Sequence, residues 1–501
     1  MTSNSDSELW QSIPWKKLRK NLFRLQCRLW KAIRVGDRKR ANNLQKLILR
    51  SRSARLLAIR QVTQLNQGKK TAGIDGKASL TYKERLELDG LLKERVNTWT
   101  HSKLREIPIP KKDGSKRILK IPTIQDRAWQ CIIKYTIEPA HEAIFHERSY
   151  GFRPGRSTHD AQKYLFDNLR SKSNGKDKII LEMDIEKCFD RIGHNHLMSQ
   201  IIAPQSAKLG LWKCLKAGVN PEFPEQGTPQ GGVCSPVLAN VALHGIEAIH
   251  KSVRYADDMV FIFKPGDDQA RVFDEITEFL RIRGLNIKAT KTRFVSATNG
   301  FNFLGWKFKV QKNGKFRCTP SEDNYLAFRR KVKAIVNNSN YGASVKAEKL
   351  ALIVRGWRNY HRYCKMDGSR FSLWFTRLRT WKVFNKETKL NRYQTDALIN
   401  QAFPSVSYSE NKYVMVKGDA SPFNGDIVYW SKRKSKHYDG MTAKALSKQD
   451  HKCGYCGLRF IDGEYIHLHH IDGNHDNWTP TNTMAIHQSC HHYIHMSKRE
   501  T

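Results

Sequence analysis

The sequence predicts an α+β protein of several domains, and three observations carry that expectation. In the middle third, short apolar and β-branched segments alternate with acidic turns: Ile179 to Met183 ends at Asp184, and Val253 to Tyr255 and Met259 to Phe263 flank Ala256-Asp257-Asp258. On both sides of this region apolar residues recur at spacings of three and four with Lys and Arg between them, the pattern of amphipathic helices with basic outer faces. The tail concentrates Cys and His, its last 51 residues holding nine of the 19 His. At 501 residues the chain is long enough for about three domains, each with a core of ordinary size.

Charge narrows the class of partner. Lys and Arg number 88 against 47 Asp and Glu, a formal charge of +41 spread through most of the chain. Such a field attracts polyanions and opposes self-association. With 12 Trp, 17 Tyr and 22 Phe this is not a disordered basic tail, so nucleic acid is the expected partner. The start, MTSNSDSELW, carries no basic-then-apolar signal pattern. No apolar run approaches the ~20 residues that span a bilayer, so no membrane partner is expected. Most of the ten Cys stand alone, which suits a reducing cytosol; Cys453, Cys456 and Cys490 need another explanation.

Taken in order, Trp15, Leu18, Leu22, Leu25, Leu29 and Ile33 predict a first helix, and Ala41 to Gln64 a second, ending at the glycine-marked loop QGKKTAGIDGK. LREIPIPKKDGSKRILKIP reads as two short strands joined at Asp113-Gly114, with Pro108 and Pro110 keeping the first extended. Lys111, Lys112, Lys116 and Arg117 at its tip are either a place to hold phosphates or a solvated charged tip. A helix around Trp129 to Phe145 follows, then SYGFRPGRSTHDAQ. The buried-type strand Ile179 to Met183 delivers Asp184 at its end, as acidic metal sites commonly require; a cap on the next helix is the other reading of that residue. In QGTPQGGVCSPVLANV, Gly227, Gly231 and Gly232 let backbone approach a ligand closely, and a helix starts near Ser235.

The segment SVRYADDMVFIFKPGDDQA holds two Asp pairs. Asp257 and Asp258 fall at a hairpin turn between strands. Asp267 and Asp268 precede a helical pattern, where carboxylates accept backbone N–H bonds, so they are expected to be caps. Two carboxylates on a rigid tip and one at the end of another strand are what two-metal phosphoryl transfer needs, with both ions about 3.5 to 4 Å apart.

TAGIDG, IPIPKKDGSKR, YGFRPGRSTHDA, MDIEKCFD, QGTPQGGVCSPVLANV, RYADD, GLNIKATKT and FNFLGW stand in one order between about Gly68 and Trp306. That block resembles a reverse transcriptase of the bacterial group II intron kind. The resemblance implies a right-hand polymerase with fingers and palm. It implies two Mg²⁺ ions held by Asp184, Asp257 and Asp258, with Ile185 lending a backbone carbonyl. It further implies Lys111 and Arg117 on the dNTP triphosphate, Phe189 as the gate against a ribose 2′-hydroxyl, Gln230 lining the nucleotide pocket and Lys291 supporting the site. For Gln230 and Lys291 a purely structural loop role stays open.

Beyond FNFLGWKF three basic helical stretches follow, with Trp357, Tyr360, Trp374 and Trp381 interleaved. They suit an RNA-gripping bundle, although aromatics at helical spacing are more often core. IVRGWRNYHRY resembles the maturase, or thumb, domain of group II intron proteins, which binds the intron and assists its splicing. From about Asn400 to Lys448 the chain is loop-rich and basic and resembles the family's DNA-binding region; Lys432, Arg433, Lys434 and Lys436 are either a solvated face or a phosphate-neutralising one. In the tail, Cys453 and Cys456 form a Cys-x-x-Cys knuckle, and His487 and Cys490 a second pair at equal spacing. Together they would complete a tetrahedral, structural Zn²⁺ site.

The remaining tail residues resemble an HNH endonuclease, a ββα-metal module. That implies His470 as the general base, Asn482 ordering the site, and His469, His491 and His495 holding Mg²⁺ or Mn²⁺. His467, His475 and His492 lie close by and leave the ligand set open. The whole resemblance implies four regions: 1–310 for an N-terminal extension with fingers and palm, 311–395 for the maturase helices, 396–448 for DNA binding and 449–501 for the endonuclease. It implies a ribonucleoprotein with intron RNA, a DNA target, intron mobility by target-primed reverse transcription, and a bacterial cytoplasmic setting beside nucleoid DNA.

Overall fold

A computed structural model describes residues 3–110, 114, 116–218, 223–388, 391–435, 438, 440–460 and 465–497. Near the N-terminus three helices, Trp15–Arg34, Arg38–Arg50 and Arg52–Arg60, pack with the helix Ile124–Glu142. The single helix expected over 41–64 is broken at Ser51, whose backbone is extended and whose hydroxyl accepts from the Ala54 N–H. A serine at a cap position gives the backbone a local partner that competes with helix continuation. Strands β1 (Arg105–Pro110) and β2 (Lys116–Ile121) pair antiparallel, Pro110 opposite Lys116, as the hairpin reading expected. Lys111, Lys112 and Asp113 of its tip lie outside the described residues.

The central sheet is built from β3 (Ile179–Met183), β4 (Ser252–Tyr255), β5 (Asp258–Phe263) and β6 (Arg293–Ser296), in the order β4-β5-β3-β6 and antiparallel throughout. Side chains alternate between its faces. Leu181, Met259, Phe261 and Phe263 enter one core with the N-terminal helices, while Ile180, Val253, Val260 and Ile262 enter a second. The sheet that delivers the acidic residues is therefore covered on both sides. A second sheet, β7 (Phe301–Phe303), β8 (Trp306–Val310) and β9 (Phe316–Pro320), belongs to the second core, where Trp306 stacks on Tyr360 at 4.6 Å.

Four helices of more than two turns follow among the described residues: Glu322–Val336, Ala343–Tyr360, Trp374–Thr388 and Arg392–Ala402, with the single turn Gly368–Phe371 between the second and third. The last was not among the three expected, although Asn391 and Gln394 cap its start reciprocally. Trp357 is buried against Phe328 and donates to Asn324 Oδ1, and Trp381 donates to Asp396 Oδ1, so both are structural. Trp374, at 54% exposure, is the outward ring. The segment expected to be loop-rich carries two more helices, Ile427–Ser435 and Gly440–Lys448. A hairpin of β10 (Ile466–His470) and β11 (Thr483–His487) then leads into the helix Gln488–Ser497 around a third core that holds Leu446, Phe460 and Ile486. Among the described residues no helix is long and apolar enough to cross a membrane.

Candidate active site and metal-ligand clusters

Register assembles the acidic centre. Met183 pairs with Met259, so the next step along both strands brings Asp184 opposite Asp258. Tyr255 pairs with Asp258 across the β4–β5 turn, and Ala256 closes that turn with φ +59°. This left-handed conformation is uncommon for a residue with a side chain and must be held by its surroundings. Asp257 is pushed above the usual carboxylate range by burial, with Asp184 adding to the rise. Asp258 is pushed up to about 6 by the lost hydration of its carboxylate in the cleft, then by Asp257 and Asp184. Asp257 and Asp258, both raised in proton affinity beside Asp184, form with it an oxygen-rich site suited to hard divalent cations.

What holds the turn was not foreseen from the sequence. Arg254, 1% exposed, donates from its guanidinium to Glu247 Oε1 (2.6 Å), Asn240 Oδ1 (3.0 Å), Ser149 Oγ (2.8 Å) and the Ala256 carbonyl (3.1 Å). The last bond fixes the strained residue directly before Asp257. The loop Ser149–Gly151 buttresses it from outside: Tyr150 N–H donates to the Arg254 carbonyl, and a side chain at Gly151 would meet Ala256 N at 2.2 Å. Glycine is required at 151 by that close approach. The only sequence signal was an Arg inside an apolar strand, a residue almost never buried unless paired.

Around this centre stand most of the residues expected to contact nucleotide. Lys291 Nζ lies 2.9 Å from Asp184 Oδ2, and Lys288 N–H donates to the Asp184 carbonyl. Ile185 is buried and bridges to Ile287. The Phe189 ring meets Phe152 edge-on at 6.3 Å, and its carbonyl accepts from Thr228 N–H. Gln230 Nε2 reaches Asp190 Oδ2 at 3.5 Å, while its carbonyl accepts from Lys120 N–H on β2. Arg117, exposed on β2, lowers the proton affinity of Asp257. Lys111 lies outside the described residues. Asp267 and Asp268 are elsewhere engaged: Asp268 Oδ1 accepts from Arg271 N–H at the start of the helix Gln269–Arg281, and Asp267 Oδ2 accepts from Lys264 N–H.

Two ligand clusters occupy the tail. The ligand atoms of Cys453, Cys456, His487 and Cys490 all lie within 4.8 Å of one another, and those of His469, His491 and His495 likewise. In the first, His487 Nδ1 stands 3.4 Å from Cys456 Sγ and 3.8 Å from Cys490 Sγ. Hydrogen bonds with Cys490 and His487 hold Cys453 well below the usual thiol range, while Cys490 is pushed up by sharing its proton with Cys453. In the second, His491 and His495 approach to 3.3 Å, Nε2 to Nε2. His467 stacks near His491 at 5.2 Å and stays adjacent to this set, whereas His475 lies beside His470. The side chain of His492 lies outside the described ones. His470, on β10, is buried among His475 and Trp478, and its Nε2 makes no hydrogen bond among the described residues. Asn482 donates to Asp472 Oδ1 and the Asn477 carbonyl and accepts from Asp472 N–H, locking the loop that follows His470.

The basic run before the tail is not one solvated face. Arg433 turns inward to Asp160 on the helix Thr158–Leu169, 2.9 Å away, and donates to Tyr413 Oη and the Val414 carbonyl. Asp160, with 0% exposure, also accepts from the N–H groups of Ser157 and Val416. Lys432 is exposed, and Lys436 lies outside the described residues.

Comparison with known proteins agrees with this layout. The profile for the N-terminal domain of reverse transcriptase matches residues 10–92, that for reverse transcriptase (RNA-dependent DNA polymerase) matches 109–308, and that for the group II intron maturase-specific domain matches 326–398. Maturase-like protein 1 of Euglena gracilis is 38% identical over 415 residues, which is 81% of this chain and 90% of the relative. Its counterpart in Euglena longa is 35% identical over 394 residues, 78% of this chain and 86% of the relative. The group II intron-encoded protein LtrA of Lactococcus lactis subsp. cremoris is 33% identical over 190 residues, 36% of this chain and 31% of that protein. By these matches the chain belongs to the family of group II intron maturases and reverse transcriptases.

Proposed function

We propose that this member of the family unites RNA-directed DNA polymerisation, intron splicing and DNA cleavage, and serves intron mobility by target-primed reverse transcription. The observation that carries the reading is the coexistence of the three-carboxylate centre with two separate ligand clusters in the tail. On this reading residues 1–310 extend from the N-terminal helices through fingers and palm, 311–395 are the maturase helices, 396–448 bind DNA and 449–501 form an HNH endonuclease.

Asp184, Asp257 and Asp258 would hold two Mg²⁺ ions, with the Ile185 carbonyl completing the set. When bound there, Mg²⁺ would lower the barrier to attack of a primer 3′-oxygen on the α-phosphorus of a dNTP. The protein's own share is alignment. Lys111 and Arg117 clamp the triphosphate, Arg by its forked donors. Phe189 narrows the pocket where a 2′-hydroxyl would enter, Gln230 lines it, and Lys291 keeps the Asp184 carboxylate in place. Intron RNA is the expected template and splicing substrate.

In the tail Cys453, Cys456, His487 and Cys490 would hold Zn²⁺. His487 Nδ1 stands 3.4 Å from Cys456 Sγ and 3.8 Å from Cys490 Sγ, close to the edge of a tetrahedron with bonds of about 2.0 to 2.3 Å. His469, His491 and His495 would hold Mg²⁺ or Mn²⁺, His470 would take the proton of the attacking water, and Asn482 keeps the following loop in shape. The nick frees a 3′-hydroxyl that primes synthesis at the carboxylate centre.

The test begins with the RNA that copurifies with the full chain from its native locus at moderate salt. A single dominant RNA folding as a group II intron is expected; a mixture tracking cellular abundance would count against the maturase role. With that RNA as template, Asp257→Ala is expected to abolish primer extension and spare splicing. His470→Ala is expected to abolish nicking and spare primer extension, and nicking at the wild-type rate would remove His470 from the mechanism.

A further inference from the structure

A cleft of about 620 Å³ lies between the first basic helix and the tail, away from the carboxylate centre. Lys16, Arg19, Lys20 and Phe23 of the helix Trp15–Arg34 form one wall. Ile427 and Val428 form a second, and Lys452, Leu458 and Arg459 beside the Cys453–Cys456 knuckle form a third. The helix is held against this connector by the Arg34–Asp419 ion pair at 2.7 Å. Its volume falls within the range of about 300 to 1,000 Å³ typical of ligand sites.

The lining is of two kinds. Ile427, Val428 and Leu458 are exposed apolar residues, and Phe23 adds a half-buried ring. Around them stand cations, and no carboxylate is among the described lining residues. Lys452 and Arg459 share Asp450, and Lys16, Arg19, Lys20 and Arg60 add to the positive field of the lining. Arg60 sits over the Trp15 ring at 4.5 Å, and burial together with the Arg19 guanidinium pushes it down to about 10. Cations crowded over an apolar floor await an anion that carries a flat apolar body.

An unpaired nucleotide in a strand has that chemistry: phosphates for the cations and a base for the floor. We propose that this cleft binds an unpaired stretch of the DNA strand passing to the C-terminal module, the choice of DNA resting on the reading of that module as a DNA endonuclease. A double-stranded segment does not fit, because its bases are stacked inside and present no free face to Phe23 and Leu458.

The test uses the full chain and a short fluorescein-labelled oligodeoxynucleotide, with anisotropy read at physiological salt to suppress nonspecific binding. Lys16→Glu with Lys20→Glu, both exposed, is compared with the charge-matched pair Lys17→Glu with Arg28→Glu, exposed on the same helix outside the cleft. The first pair is expected to weaken binding at least about tenfold and the second about twofold. A strand carrying 5-iododeoxyuridine is expected to crosslink to the peptides bearing Trp15 or Phe23. Equal loss from the two pairs, or crosslinks confined to other peptides, would overturn the proposal, and equal binding of the RNA version through the same residues would overturn the choice of DNA. Binding needs no cleavage, so a wild-type protein that binds here yet never nicks refutes the endonuclease reading by itself.

Discussion

Arg254 sets the geometry of the acidic turn through the Ala256 carbonyl rather than through a hydrogen bond to Asp257 or Asp258. Its four acceptors include the carbonyl of Ala256, whose left-handed backbone aims Asp257 and Asp258. Lys cannot reproduce a planar fork of donors. Arg254→Lys is therefore expected to lower kcat for primer extension by about 10- to 100-fold, or about 1.4 to 2.7 kcal/mol in the barrier, with the KM for dNTP little changed. A purely structural role would lower the amount of folded enzyme and leave kcat per folded molecule intact, which active-site titration distinguishes. Asp258 gives a pH signature. Its folded value of about 6 lies above the usual carboxylate value, so its contribution to stability is fully present below about pH 4 and is lost as pH rises through about 6. Without Mg²⁺, Asp258→Asn is expected to raise Tm at pH 8 and to leave it unchanged near pH 4; no pH dependence in that difference would contradict the coupling of the three carboxylates. Asp184 at a strand end and the two Asp of the turn were legible as residues, because alternation and β-branched flanks fix the local strands. Arg254 was not, because its partners Glu247, Asn240 and Ser149 come from three separate segments.

Elements whose pattern is strongly periodic were readable, and those held by polar local bonds were not. β3, β4 and β5 follow the apolar segments that announced them; of the two Asp expected as caps, Asp268 caps the next helix, while Asp267 closes the preceding turn on Lys264 N–H. Replacing both with Asn keeps acceptor oxygens at the cap, so primer extension is expected to stay within about twofold of wild type. A loss like that of Asp257→Ala would return this pair to the mechanism. The break at Ser51 and the helices Arg392–Ala402 and Ile427–Ser435 escaped the pattern because serine and asparagine caps, rather than apolar stripes, mark their starts or because their buried faces are short. In the tail, spacing alone paired Cys453 and Cys456 with His487 and Cys490, and the fold brings the four together. Its core is small, so Cys453→Ser is expected to unfold β10, β11 and the last helix selectively, abolishing nicking while primer extension persists. Limited proteolysis releasing the tail, with the rest intact, would verify it.

At the scale of the molecule, two apolar cores share one sheet, and polar bonds stitch its far side to the segment before the tail. Asp160 collects the Ser157 and Val416 amides and the Arg433 guanidinium, and Gly155 leaves room for the Trp430 ring, which a side chain there would meet at 2.4 Å. Removing one member of a buried ion pair leaves the other uncompensated. Arg433→Ala is expected to destabilise the protein by about 3 to 5 kcal/mol in denaturant unfolding, whereas Lys432→Ala, at an exposed neighbour, costs under about 0.5 kcal/mol. Equal effects would mean that the basic run is a solvated face after all. No sequence pattern announces a bond between residues 273 apart, which is why the run read as a solvated or a phosphate-neutralising face and not as a partly buried one.

That long closure has a consequence for synthesis. A ribosome has already released the residues of the acidic turn while Val416 and Arg433 are still to be made, so Asp160 stays unmatched by them for much of translation. The same holds for the second face of the sheet, which waits for residues such as Leu350 and Ile399. A chain that terminates early therefore carries Asp184, Asp257 and Asp258 yet lacks the contacts that settle the sheet beneath them. A chain cut off before Val416 is expected to be digested faster than the full chain in limited proteolysis.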